Sequence, residues 1–283
     1  MSNSITPIVD IPQLIALRGQ PDLVIIDASS GPEARSNFEN SHLEGARFVD
    51  VETQLADIKE DVSNGGRHPL PSPEAFGQAL GDLGITPESH VVVYDSMSGG
   101  NAAARMWWML RAIGHEKVQV LSGGLSQALE AGYPEATGPA EPITTAPYPT
   151  RDWMLPTAEM DEVGKAARSD AQTVIDVRGA ARYAGETEPI DLIAGHIPGA
   201  INIPFQENLD GNGQFLPAAD LKEKYRPIFE DKTPDQIIVH CGSGITACHT
   251  LLAMDYAGYD IPKLYVGSWS EWSRNDRPMI TKS

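Results

Sequence analysis

Residues 236–254 read QIIVHCGSGITACHTLLAM, so a short apolar run passes through His240 into Cys241 and then into a Gly-Ser-Gly turn. The run has the pattern of a buried strand, and the residues after Thr246 read as a helix. A cysteine on a tight turn between strand and helix suits three chemistries. It could serve a phosphatase loop, a redox pair with Cys248, or a carrier of sulfur. Gly242 and Gly244 permit unusual φ angles and close backbone approach. Thr246 stands where an N-cap would be. Successive N–H groups in such a turn converge into an anion cradle, aided by the dipole of the following helix. That cradle favours negative charge on a sulfur held at its centre.

The three chemistries separate on single residues. A phosphatase loop of this shape needs an arginine six residues after the cysteine to hold phosphate with two parallel bonds, and residue 247 is alanine. A thioredoxin-like pair wants Cys-x-x-Cys, whereas Cys248 stands seven residues on, at the start of the helix. Cys248 therefore reads as a small core residue, with a resolving thiol as the lesser alternative. A persulfide is a compact anion without tetrahedral oxygens. A ring of N–H donors and small side chains is what it needs, and the turn supplies both.

The elements that must position this turn are written twice. LVIIDASS (23–30) matches TVIDVRGA (173–180), and SHLEGARFVDV (41–51) matches GHIPGAINIPF (195–205). HVVVYDSMSGGNAAARMWWML (90–110) matches the cysteine segment, and VQVLSGGLSQAL (118–129) matches PKLYVGSWSEW (262–272). A period near 150 residues indicates a duplicated domain and no solenoid. Each half alternates short β-branched strands with helical patterns such as 72–84 and 103–114. This predicts an α/β fold of two domains, each a mainly parallel sheet with helices on both faces. Ser72-Pro73-Glu74 reads as a helix start. The expected organisation is an N-terminal domain over 1–135, a proline-rich linker over 136–156 and a C-terminal domain over 157–283. Asp95 occupies the position of Cys241 in the first copy. A carboxylate cannot carry sulfane sulfur, so the first domain is expected to be non-catalytic and to cover the second domain's site. The tryptophans of GSWSEW, and Trp107 and Trp108, read first as core.

Composition narrows the function further. The 283 residues carry a net charge of −18, so a nucleic-acid partner, which needs a basic face, is not expected. No apolar run approaches the ~18 residues of a membrane span, and residues 1–17 lack the pattern of a signal peptide. Two cysteines do not make a disulfide framework, which points to a reducing cytoplasm. No cofactor or metal is expected.

The chain resembles the tandem-domain rhodanese-like sulfurtransferases over essentially its whole length, through CGSGIT, GHIPGAIN and the C-terminal YxGSWxEW pattern. CGSG-hydrophobic-Thr is similar to the 3-mercaptopyruvate sulfurtransferase branch; members that use thiosulfate usually carry Arg and Lys where this chain has Gly242 and Ser243. Val266 departs from the C-terminal motif, which often has an acidic residue there. The resemblance implies that Cys241 is the nucleophile and passes sulfur from a small donor to cyanide or a thiol such as thioredoxin or glutathione. It implies catalytic roles for Ser243, His68 and Glu52, the last two arriving from the N-terminal half. It places Gly242, Gly244, Ile245 and Thr246 around the substrate and makes Arg182, in the family's G-R-[FY] segment, the reader of the donor's carboxylate. Arg178 and Arg67 are further substrate-binding candidates, although Arg178, nearer the strand end, reads more as an orienting or structural residue. Many relatives have a second arginine shortly after a Glu-Pro. Here Glu188-Pro189 is followed by Ile190, which keeps thiosulfate open as donor, and Arg67 or Arg105 could compensate.

Overall fold

The computed structural model describes residues 5–141, 143 and 145–281; Pro142 and Thr144 of the proline-rich segment lie outside the described residues. The chain forms two compact units. The first comprises residues up to Ala56, Pro71–Met154 and Gly211–Phe215; the second comprises Asp57–Leu70, Leu155–Asp210 and the residues from Leu216 onward.

The first unit begins β1 (Ile8–Val9), α1 (Ile11–Leu17), β2 (Leu23–Asp27), α2 (Ala34–Asn40), β3 (His42–Leu43), β4 (Ala46–Phe48) and α3 (Val51–Gln54). It continues with α4 (Pro73–Asp82), β5 (His90–Tyr94), α5 (Ala103–Ala112), β6 (Val118–Leu121), α6 (Gly124–Glu130) and β7 (Glu135–Ala136). The second unit runs α7 (Met160–Ala166), β8 (Thr173–Asp176), α8 (Ala180–Tyr183) and β9 (Ile201–Asn202). It then has α9 (Ala218–Phe229), β10 (Ile237–His240), α10 (Ala247–Tyr256), β11 (Lys263–Leu264) and α11 (Ser268–Trp272).

The strand order is β1-β6-β5-β2-β4 in the first sheet and β11-β10-β8-β9 in the second. Neighbours in both sheets are parallel. The matched sequence blocks place β6 with β11, β5 with β10, β2 with β8 and β4 with β9, so the two sheets have one topology. Even the outer strand has a counterpart. Ile8 pairs parallel with Val120 in the first unit, and Thr157 bridges Leu264 in the second.

Burial follows the apolar pattern. β10 is buried throughout, and β5 is buried from Val91 to Tyr94. Fully buried parallel strands read as continuous apolar runs because helices cover them. Ser72 caps α4 by accepting from the Ala75 N–H, with Pro73 in the first turn. The proline-rich segment lies along that helix, where Thr145 and Tyr148 donate to the Gly81 and Gly77 carbonyls. Trp107 and Trp108 are fully buried in the first unit, and Trp269 and Trp272 belong to the core of the second.

Candidate active site

Cys241 follows β10, which lies between β11 and β8, so it stands at the carboxyl end of an interior strand, where open parallel sheets form their sites. The start of α11 holds its backbone. The Cys241 N–H donates to Ser268 Oγ at 3.2 Å, the Cys241 carbonyl accepts from the Trp269 N–H at 3.1 Å, and the Gly242 carbonyl accepts from the Ser270 N–H at 2.8 Å. Gly244 has φ +76°, and a Cβ there would lie 2.5 Å from the Val266 carbonyl oxygen, so only glycine closes the turn. Ile245 is buried beside it. Thr246 takes the N-cap position of α10 with helical backbone angles and makes no side-chain cap bond, so the cap expected of its hydroxyl is not formed. Cys248 lies in the first turn of α10, buried, with its thiol 3.4 Å from the Gly244 carbonyl.

Residues 57–70 are sewn to α11 and the turn that follows it. The Gly65 N–H donates to Glu271 Oε1 at 2.8 Å, the Arg67 N–H donates to Ser270 Oγ at 3.1 Å, and Asn275 donates to the Ser63 carbonyl at 2.9 Å. These bonds carry two side chains to the cysteine turn. His68 Nδ1 lies 2.8 Å from Ser243 Oγ. Arg67 Nε donates to Asp191 Oδ1 at 3.1 Å.

The arginines sort by exposure. Arg178, the candidate that read more as an orienting or structural residue, has a side chain only 1% exposed, and each of its guanidinium nitrogens is bonded. It bonds Asp176 through Nε and Nη2, Glu188 through Nη1 and the Gly195 carbonyl through Nη2, with its guanidinium 4.7 Å from the Trp269 ring. It is an internal strut, because β8 ends with Asp176 buried beneath it. Burial would raise the carboxyls of Asp176 and Glu188. For Asp176 the neighbours His240 and Arg178, and for Glu188 Arg182 and two backbone N–H groups, hold both below the ordinary range. Burial pushes the His240 imidazole down, against the pull of Asp176 3.9 Å away. Arg182 pairs with Glu188 at 2.6 Å and reaches Asp191 at 3.4 Å.

Two further expected residues lie in the first unit. Glu52 is carried by α3 and lines a small surface cavity with Ser29, Ser30 and Arg35. Arg105 is fully buried in α5 and donates to the Leu55 carbonyl, so it belongs to that unit's core. The second unit assembles Cys241, Ser243, His68, Arg67 and Arg182 from its own residues. Asp191 and Arg274 also join this group, yet nothing in their sequence context marks them. Ser268, Ser270 and Glu271 lie in a segment noticed for its tryptophans, and it is their polar atoms that hold the turn.

The turn after β5 shows what this backbone does around an anion. Asp95 Oδ1 accepts from the N–H groups of Met97 and Gly99 at 2.8 and 2.9 Å, and Oδ2 accepts from Asn101, Ala102 and Ala103 at 3.0 Å each. Burial raises this carboxyl above the ordinary aspartate value, against the pull of those N–H groups.

Comparison with known proteins matches a rhodanese-like domain to residues 10–131 and again to 159–275. A probable 3-mercaptopyruvate sulfurtransferase of Pseudomonas aeruginosa is 36% identical over 95% of this chain and 96% of its own length. A thiosulfate sulfurtransferase of Rattus norvegicus is 35% identical over 91% of this chain and 87% of its own. Among solved structures, the 3-mercaptopyruvate sulfotransferase SseA of Escherichia coli superposes with a TM-score of 0.75 at 32% identity, covering 94% of this chain and 100% of that one.

Proposed function

The chain belongs to the rhodanese-like family in its tandem form, and from that premise we propose that it moves a sulfane sulfur from 3-mercaptopyruvate, through a persulfide on Cys241, to a thiol or cyanide acceptor. It is a sulfurtransferase, as its curated relatives are. In the proposed scheme the Cys241 thiolate attacks the donor sulfur. The carbon–sulfur bond breaks, its electron pair passes to the pyruvate enolate, and the new S–S bond leaves a persulfide on the enzyme. The N–H groups of the turn hold that anion. An acceptor thiolate then attacks the outer sulfur and returns Cys241 to the thiolate. Thioredoxin and glutathione are the acceptors we favour. Cys241 and Cys248 are both thiols, which suits a reducing compartment, the cytoplasm in our reading. Among the described residues no helix is long and apolar enough to cross a membrane.

The observation that carries the choice of donor is the 2.8 Å bond between His68 Nδ1 and Ser243 Oγ. An enolate is a basic leaving group and needs a proton as it departs; sulfite, the leaving group of thiosulfate, does not. A hydroxyl backed by an imidazole, one residue from Gly242, is the device that supplies one. Glu52 lies in the first unit, and we assign it no step. Thiosulfate is the second reading, favoured by the Arg67 and Arg182 guanidiniums beside Gly242. The test is the ratio of kcat/KM for the two donors, with mass spectrometry of Cys241 after each donor alone. A higher value for mercaptopyruvate and the mass gain of one sulfur atom on Cys241 are expected. Turnover retained in Cys241→Ser would refute the scheme.

A further inference from the structure

Asp191 is enclosed by three arginines. Its Oδ1 accepts from Arg67 Nε and Arg274 Nη1, both at 3.1 Å, and its Oδ2 lies 3.5 Å from Arg67 Nη2 and 3.4 Å from Arg182 Nη2. The carboxylate has no exposed side-chain surface, whereas Arg67, Arg182 and Arg274 keep 23%, 20% and 17% of theirs. The acid is therefore inside and the guanidiniums turn outward from it. Each guanidinium carries five donors, and several are left over. Nη1 of Arg67, Nη1 of Arg182, and Nε and Nη2 of Arg274 take no part in these bonds.

The group stands at the cysteine turn. A Cβ placed on Gly242 would lie 3.1 Å from Arg67 Nη2, 3.5 Å from Arg182 Nη2 and 3.6 Å from Asp191 Oδ2. The ion pairs linking these residues join four guanidiniums (Arg67, Arg178, Arg182 and Arg274) to three carboxylates (Asp176, Glu188 and Asp191), leaving one uncompensated positive charge. In a chain of net charge −18 that local excess is what an anionic donor can approach. The segment holding Asp191 is itself fixed, since Glu188 Oε1 accepts from the N–H groups of Ile190 and Asp191 at 3.1 and 3.0 Å. Ile190 is half-exposed and contributes no charge.

We propose that Asp191 is a positioning residue that holds Arg67, Arg182 and Arg274 as a fan beside Gly242, and that Arg67 and Arg274 supply the anion-reading charge that residue 190 lacks. The inference rests on the sulfurtransferase reading and assigns the recognition of the donor's carboxylate to this fan. A guanidinium held by a buried acid keeps its orientation before substrate arrives, so less freedom is lost on binding.

The test uses the full chain, 3-mercaptopyruvate as donor and pyruvate as a non-reacting competitor. Arg274→Gln raises KM for mercaptopyruvate and Ki for pyruvate together, each roughly tenfold, the loss expected for one charge-assisted hydrogen bond, with a smaller fall in kcat. Asp191→Asn raises both further, because it loosens all three arginines, and Asp191→Glu recovers part of the loss. Unchanged KM and Ki in an Arg274→Gln protein that melts with the wild type overturns the fan, as does a fall confined to kcat. If Asp191→Asn does not fold, the decision falls to Arg274→Gln and Arg67→Gln, whose side chains are partly exposed. If the wild type forms no persulfide from mercaptopyruvate, the proposed donor fails; the same variants are then read with thiosulfate and sulfite, and the same joint shift upholds or overturns the fan.

Discussion

Five backbone N–H groups reach the Asp95 carboxylate, three of them on Oδ2. An asparagine there offers one acceptor oxygen and turns an NH2 group toward at least two donors. Each orphaned buried donor costs about 1–3 kcal/mol, so Asp95→Asn destabilises the first unit by roughly 3–5 kcal/mol. Urea denaturation measures this, and a loss under about 1 kcal/mol contradicts the cradle's importance. Cys241 should load sulfur as before. Ser243 and His68 give the complementary prediction. Ser243→Ala and His68→Gln should each lower kcat/KM for mercaptopyruvate by about 10²-fold, the usual scale of a general-acid contribution, and for thiosulfate only a few-fold. Equal losses with both donors would remove the proton-delivery role. At this scale the sequence was readable where a residue type excludes chemistry, as Ala247 and Asp95 do. Arg178 was also separable from Arg182, because it stands nearer the end of its strand. Asp191 and Arg274 were not readable, because the bonds that bring them to the site span 124 and 83 positions.

Elements decide how His68 and Arg67 reach the turn. Gly66 has φ +81°, and a Cβ there would lie 2.4 Å from the Gly267 carbonyl oxygen and 2.8 Å from Ser270 Oγ. Gly66→Ala must push residues 63–68 off α11, which strains or breaks the Gly65–Glu271 and Arg67–Ser270 bonds and draws His68 from Ser243. The expected result is a fall in kcat/KM for mercaptopyruvate of about tenfold or more, since a displacement near 1 Å in a positioning group costs rate on that scale. A wild-type value would show that this segment does not set the site. The backbone of the two catalytic-type turns also repeats. Ser98, at φ +51°, occupies the place of Gly244 at φ +76°, and Ser268, at φ +54°, occupies the place of Gly124 at φ +65°. The strands, the helix begun by Ser72 and the repeat were legible because apolar runs and turn residues report local structure. The 57–70 segment was not, because its packing rests on long-range bonds to residues about 200 positions away that no local pattern encodes.

Across the whole molecule the two sheets share one strand order, yet their buried ionisable groups differ in sign, and acid should separate them. In the second unit Asp176 and Glu188 are held below their ordinary values by the charges around them, and His240 is depressed by burial. A group whose folded value is depressed contributes stability above its unfolded value and loses it as pH falls. All three therefore act in one direction. The His240 contribution declines below the ordinary value of 6.5, and the carboxylate contributions decline below 4.5 for Glu188 and 3.8 for Asp176. In the first unit His115 is depressed by burial and behaves like His240. Asp27 is instead raised by burial. Its folded form takes up a proton before the unfolded chain does, so acid favours folding at that position. Between pH 7.5 and 5 both units should weaken, each by at most about 1.4 kcal/mol per pH unit through the histidine that burial depresses, His115 in the first and His240 in the second. Below pH 5 the second unit should go on losing stability while the first is partly spared. Scanning calorimetry at successive pH values should then resolve two unfolding transitions that move apart on acidification, the lower belonging to the unit that carries Cys241. Assignment follows from the Asp95→Asn variant, which shifts only the other transition. Transitions that keep a constant separation from pH 7.5 to 4 would show that these buried groups do not set the acid response.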